Sequence, residues 1–209
     1  AVILPIKTNE LIALLEDKHL KNQIHGQKLS VLTTKGITHD HWKVGNSKYL
    51  LRIPKMSQWG MKPNNQLAYE STAFQRASKS GHCPELIATI PICEKLPRGA
   101  LLVEFINGHS PRLPKDLSAI SNAFSAIHKL PLPAPNKRKP LQHHVKPITE
   151  MLKVIEEQAT FLSKAKLSKR ALKEIEDEIN WAEKLKNQGE PEIPLCLVGT
   201  DTHPGNFLI

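Results

Sequence analysis

The order in which strand-like and helical patterns follow one another constrains this chain more than any other feature. Residues 28–34 (KLSVLTT), 40–45 (DHWKVG) and 48–54 (KYLLRIP) are short β-type runs. A loop containing Gly36 and a Gly-Asn-Ser turn separate them, which predicts a three-stranded meander. NQLAYESTAFQRASKSG (65–81) then sets Leu67, Tyr69-Glu70 and Phe74 at helical spacing, with Gly81 at its end, and predicts a helix over 65–80. ELIATIPIC and ALLVEFI follow as two apolar strand-like runs joined by a hairpin at KLPRG. Beyond residue 116 the period changes. Helical patterns cover 116–130, 146–165 and 168–188, with the Pro-rich PLPAPNKRKP as a connector after the first. A leading helix is expected at 8–20, capped by Thr8 or Asn9, and LCLV (195–198) reads as a short buried strand. The result is an α+β reading. An antiparallel five-stranded sheet with one main helix forms an N-terminal lobe over 1–106, a helical lobe spans 107–209, and a cleft lies between them.

Composition narrows the function classes. With 209 residues, 40% of them hydrophobic and 23% charged, the chain is long enough to bury a core. It holds no apolar stretch of membrane-spanning length. AVILPIK at the start lacks a basic leader and a cleavage site, so a secretory signal is not expected. The first residue is not Met, which allows for processing or truncation. Three cysteines without CxxC spacing suit a reducing compartment, and the cytoplasm is the expected location. A net charge of +9 raises the question of nucleic acid. The basic residues are spread out apart from NKRKP (136–140), and only 5% of residues are aromatic, so stacking platforms are scarce. A basic surface that favours small anionic ligands is the simpler account.

The stretch LVGTDTHPGN (197–206) is too polar to close a core. Asp, Pro, Gly and Asn are the usual turn residues, so a surface turn would explain it alone. Arg52 in the apolar YLLRIP could be a solvated edge charge, Glu70 an ordinary helix carboxylate, and Leu101–Ile106 simply a core strand. His128 at a helix end reads as a packing or capping residue.

Taken in order, however, these stretches resemble the aminoglycoside phosphotransferase and choline kinase family, whose members have a two-lobed protein-kinase-like fold. KYLLRIPK resembles its third strand, NQLAYESTAF the following helix, LLVEFINGHS the hinge, FSAIHKLPLP the LHxLP helix end, and DTHPGNFLI the catalytic loop HGDxHPGNxL. The resemblance runs from about residue 28 to 209, and the last motif is the most specific. It implies an ATP- and Mg²⁺-dependent kinase acting on a small-molecule hydroxyl of the choline, ethanolamine, thiamine, sugar or aminoglycoside class. It makes Asp201 the catalytic residue of a loop spanning 199–206 and Asn206 a Mg²⁺ ligand through its side-chain oxygen. Arg52 would contact ATP phosphates and pair with Glu70. Gly36, Ile37 and Thr38 would approach the phosphates through backbone amides. At the hinge the Glu104 carbonyl and Ile106 amide would meet adenine, with Val103 behind it. Two positions depart from the pattern. Gly199 stands where the family has His, and the second metal-binding Asp, expected on a strand after NFLI, is absent. The chain is therefore expected to be cut short after the catalytic loop, with the helical lobe incomplete. Gly199 also motivates an alternative, a nucleotide-binding pseudokinase that serves as a regulatory or scaffold module.

Overall fold

The computed structural model describes residues 6–17, 20–32 and 37–209. Gly36, the 33–34 end of the first expected strand and residues 18–19 of the first expected helix lie outside them. Helix α1 (Thr8–Asp17) and the short α2 (Lys21–Ile24) precede three strands, β1 (Leu29–Leu32), β2 (His39–Val44) and β3 (Tyr49–Pro54). Helix α3 (Pro63–Ala77) opens with proline at its first position, where the missing N–H costs nothing, and runs into a 3₁₀ turn at Ser78–Ser80. Strands β4 (Leu86–Ile90) and β5 (Ala100–Glu104) complete an antiparallel sheet of order β1-β2-β3-β5-β4. Helices α4 (Leu117–His128), α5 (Pro147–Ala159) and α6 (Lys169–Asn187) follow.

Alternation divides the sheet into two faces. On one, Trp42, Leu51 and Leu102 sit opposite one another. Leu51 and Leu102 are fully buried with Val44, Ile90 and Ala100, and Leu11 and Leu15 of α1 and Ile24 of α2 join the same core. The other face carries His41, Arg52 and Leu101 in register, and α3 lies over it. β5 sits between β3 and β4, so Leu101, Leu102 and Val103 are all buried.

The β4–β5 connection depends on Gly99. It has a φ of +66°, and a Cβ there would stand 2.6 Å from the Ile90 carbonyl oxygen. Backbone cannot yield as a flexible side chain can, so Gly99→Ala is expected to cost about 1–3 kcal/mol and lower the melting temperature by several degrees. A thermal melt followed by circular dichroism checks this.

The chain falls into two compact units, one running to Leu141 and including Cys196–Ile209, the other Gln142–Leu195. In the second, α5 and α6 pack together with Leu152 buried, and Ser168 caps α6 by accepting the Ala171 N–H at 3.1 Å. One expectation is corrected. LCLV forms no strand, and Leu195 and Val198 are exposed. An apolar run becomes a strand only where a neighbouring edge takes up its N–H and C=O groups, and none of the described strands does so.

Candidate active site

Arg52 and Val103 lie on the face of the sheet opposite the Leu51–Leu102 core, the face that α3 covers, while Glu104 falls on the other. Arg52 of β3 is directly opposite His41 of β2, and its Nη1 donates to His41 Nε2 at 3.2 Å. Phe74 of α3 lies beneath the guanidinium, 5.1 Å from ring centre to Cζ, close enough for a cation–π contact. Glu70, one helical turn before Phe74, has its carboxylate oxygens 3.0 and 3.1 Å from His39 Nε2. It also accepts from Gln66 Nε2 at 2.9 Å. Gln66 is 4% exposed and satisfied on every side, donating to the Met56 carbonyl and accepting from Arg98 Nη1 at 2.7 Å. Thr38 Oγ1 bonds His39 Nδ1 at 2.9 Å, while Ile37 is exposed.

The direct ion pair expected between Arg52 and Glu70 is not formed among the described residues. Glu70's oxygens are taken by His39 and Gln66, and Arg52 is taken by His41. The two imidazoles stack 6.2 Å apart and 18° from parallel, His39 on Glu70 and His41 on Arg52. These histidines were missed, although the signal was in the sequence. Positions 39 and 41 are two apart in a strand and so share a face with each other and with Arg52.

Burial and charge set the protonation of this cluster. Desolvation, then the Arg52 charge and His39, push His41 down to about 4, so its imidazole is neutral near pH 7. The Glu70 carboxyl is raised by burial, but the bonds from His39 and Gln66 and the Arg52 charge outweigh it, and its pKa falls below the ordinary value. Burial lowers the Arg52 guanidinium, which Glu70 partly offsets. Both shifted acid–base groups make stability fall with falling pH. Between pH 6.5 and about 4 the unfolded chain protonates His41 and the folded chain does not, so stability present above 6.5 is lost toward 4. Glu70 acts in the same direction. Discounted for partial solvent screening, the His41 contribution is about 2 kcal/mol. Urea midpoints at pH 7 and pH 4.5 should therefore fall less in His41→Leu than in the parent chain.

Beyond β5 the chain enters the expected hinge. Val103 is 1% exposed. The Glu104 amide bonds the Glu85 carbonyl and the Phe105 amide that of Lys48, while the Ile106 amide has no partner among the described residues. Lys43 Nζ covers the Phe105 ring at 4.3 Å. Immediately after, His109 and Ile209 exchange two backbone hydrogen bonds, of 3.1 and 2.9 Å. Gly108 permits this approach, because a Cβ there would meet the Ile209 carbonyl oxygen at 2.9 Å and Leu208 Cβ at 3.1 Å. The NFLI segment is thus docked on the hinge exit, and Phe207 packs edge-on against Phe124 of α4 at 5.3 Å. Gly108, Phe124 and Phe207 are the residues that seat the loop, and no sequence pattern singles them out.

The loop itself is tightly tied. Pro204–Asn206 is one 3₁₀ turn, the Asn206 amide bonds the His203 carbonyl, and Gly205 N donates to His203 Nδ1 at 3.0 Å. Asn206 Nδ2 donates to the Asp201 main-chain carbonyl at 2.8 Å, which leaves its Oδ1 as the atom able to take a cation. The Asp201 carboxylate is exposed, with His203 Nε2 3.8 Å away. An open groove of about 680 Å³ adjoins, lined by Ser121, Phe124 and His128 of α4 and by Val198, Gly199 and Thr202. Gly199 contributes no side chain to it. Phe124 and Thr202, its nearest neighbours, would be 3.9 Å from an added Cβ.

The described residues fit a nucleotide's phosphates. Arg52 Nε is buried with no hydrogen-bond partner among the described residues, and a guanidinium N–H left unpaired in a polar cluster is a donor for an anion. For magnesium they offer Asn206 Oδ1, and no group of three acidic, His or Cys side chains able to hold a metal occurs among them. No described helix is long and apolar enough to cross a membrane.

A family model described as the phosphotransferase enzyme family matches residues 33–209. Comparison with curated proteins returns no match. Among solved structures, a spectinomycin phosphotransferase in complex with ADP and spectinomycin is 17% identical, with a TM-score of 0.55 over 99% of this chain and 66% of that one. A Plasmodium vivax ethanolamine kinase is 14% identical, with a TM-score of 0.58 over 95% of this chain and 57% of that one. An aminoglycoside phosphotransferase is 17% identical, with a TM-score of 0.51 over 82% and 61%. The chain spans less than two thirds of the length of each. At these identities the structures speak to the fold, and it is that of the kinase-like phosphotransferases. With the family model extending from residue 33 through the Asp201 turn, the chain belongs to the phosphotransferase enzyme family.

Proposed function

We propose that the chain is the nucleotide-binding and catalytic-loop part of an ATP-dependent kinase that phosphorylates a hydroxyl of a small molecule. The observation that carries this reading is the buried Nε–H of Arg52, without a partner among the described residues, on the sheet face that Glu70 and α3 cover. Arg52 receives the phosphates, and the amides of Ile37 and Thr38 approach them from the end of the preceding loop. Adenine lies along the hinge, against Val103, between the Glu104 carbonyl and the Ile106 amide. The Asp201 carboxylate accepts a hydrogen bond from the acceptor hydroxyl and aims its oxygen at the γ-phosphorus. As that oxygen bonds phosphorus, the bond to the β–γ bridging oxygen breaks, ADP leaves, and Asp201 takes the hydroxyl proton. Asn206 Oδ1 is the described donor for Mg²⁺, which would neutralise phosphate charge. Residues 1–106 serve as the nucleotide lobe and 107–209 as part of the helical lobe.

The acceptor belongs to the choline, ethanolamine, thiamine, sugar or aminoglycoside class. The test is acceptor-dependent ADP release by the full chain with ATP, Mg²⁺ and a panel of these compounds. Turnover with one of them supports the kinase and names its class. Nucleotide binding without turnover favours the pseudokinase reading that Gly199 motivates. Absence of any nucleotide binding overturns both.

A further inference from the structure

Arg52 lacks the partner that ordinarily fixes a phosphate-binding cation, because Glu70 is engaged by His39 and Gln66. Something else must hold the guanidinium for its Nε–H to remain directed at a ligand. The only side chain among the described residues that receives a hydrogen bond from it is His41, placed opposite by strand register. We propose that His41 is a positioning residue of the nucleotide site, which as a neutral imidazole protonated on Nδ1 accepts Arg52 Nη1 and so leaves the Nε–H to the phosphates.

This inference rests on the nucleotide reading of the site. The tautomer follows from the contact. A guanidinium only donates, so the imidazole Nε2 bonded to it must carry the lone pair, and the proton of the neutral ring sits on Nδ1. Phe74 beneath the guanidinium and His39 stacked beside His41 limit the alternatives open to either side chain. Among the described residues, Arg52, His39, Lys55 and Asp40 act on His41, the last two joined by a 3.1 Å ion pair, while Glu70 faces the cluster from α3. Burial and the cationic neighbours together keep His41 neutral down to about pH 4, so the acceptor persists throughout the neutral range. A lysine or leucine at 41 would supply no lone pair of this kind, whereas glutamine would.

The test is calorimetric binding of ADP and of adenosine to the full chain, in the parent, His41→Leu and His41→Gln. The parent is expected to prefer ADP. His41→Leu should weaken ADP by about tenfold while adenosine affinity stays put, and His41→Gln should keep most of the preference. A role in folding alone would move both ligands together. If the parent prefers ADP and His41→Leu retains that preference, the proposal fails while the nucleotide reading stands. If the parent binds neither ligand, or both equally, the nucleotide reading fails and takes the proposal with it. Imidazole ¹⁵N shifts of the unsubstituted chain give a second measurement that needs no variant to fold. His41 should remain neutral and Nδ1-protonated from pH 7 to 5.5, and titration near 6.5 or the opposite tautomer would overturn the assignment.

Discussion

Replacing Asp201 by Asn should reduce turnover by about 10²–10⁴-fold with the acceptor that supports ADP release, while ADP affinity stays within about twofold. Asn keeps the shape of the side chain but can neither accept the hydroxyl proton nor present two anionic oxygens to it. The loop should survive the change. Asn206 binds the main-chain carbonyl of Asp201 and not its carboxylate, so that 2.8 Å bond is untouched. The only partner of its carboxylate among the described ion-pair contacts is His203 at 3.8 Å, with both side chains more than half exposed, and such a contact contributes little. Stability should therefore shift by no more than about 0.5 kcal/mol. A melt that matches the parent beside a collapsed rate separates chemistry from folding. Normal turnover in Asp201→Asn would remove Asp201 from the reaction.

Much of this arrangement was legible before any coordinates. β2, β3 and β5 lie within a residue or two of the expected runs, because alternation on a half-buried sheet is a local signal. The order of the last two strands was less so. A hairpin reads the same whichever arm docks on β3, and only the complete burial of Leu101, Leu102 and Val103 marks β5 as the inner arm. LCLV misled for a related reason, since hydrophobicity signals burial potential but not whether an edge is free to receive a strand. At the site, the loop motif carries Asp201 and Asn206 directly, as turn chemistry keeps them close in sequence and in space. The Arg52–Glu70 relation joins residues from two elements through side chains of a third. The pair was read as a contact, and the structure replaces it with two histidine-mediated contacts that only strand register brings into place.

Arg52→Ala should weaken ADP binding by about 30–100-fold, and it should do so with little change in stability. The two expectations have one cause. Arg52 is a largely desolvated cation whose Nε–H finds no acceptor among the described residues, a buried donor they do not satisfy. Leaving such a group unpaired costs about 1–3 kcal/mol, and removing it relieves that cost. Against this stand the lost contact with Phe74, the lost bond to His41 and the lost charge facing Glu70. Glu70 keeps its bonds from His39 and Gln66, so its carboxylate is not orphaned. The gains and losses are of similar size, and the melting temperature should move by only a few degrees in either direction. Arg52→Lys retains a cation but not the planar fork, and it should recover only part of the affinity. If Arg52→Ala lowered stability sharply and left ADP affinity intact, Arg52 would be a structural cation tying β2, β3 and α3 together, and the phosphates would have to bind elsewhere on the sheet.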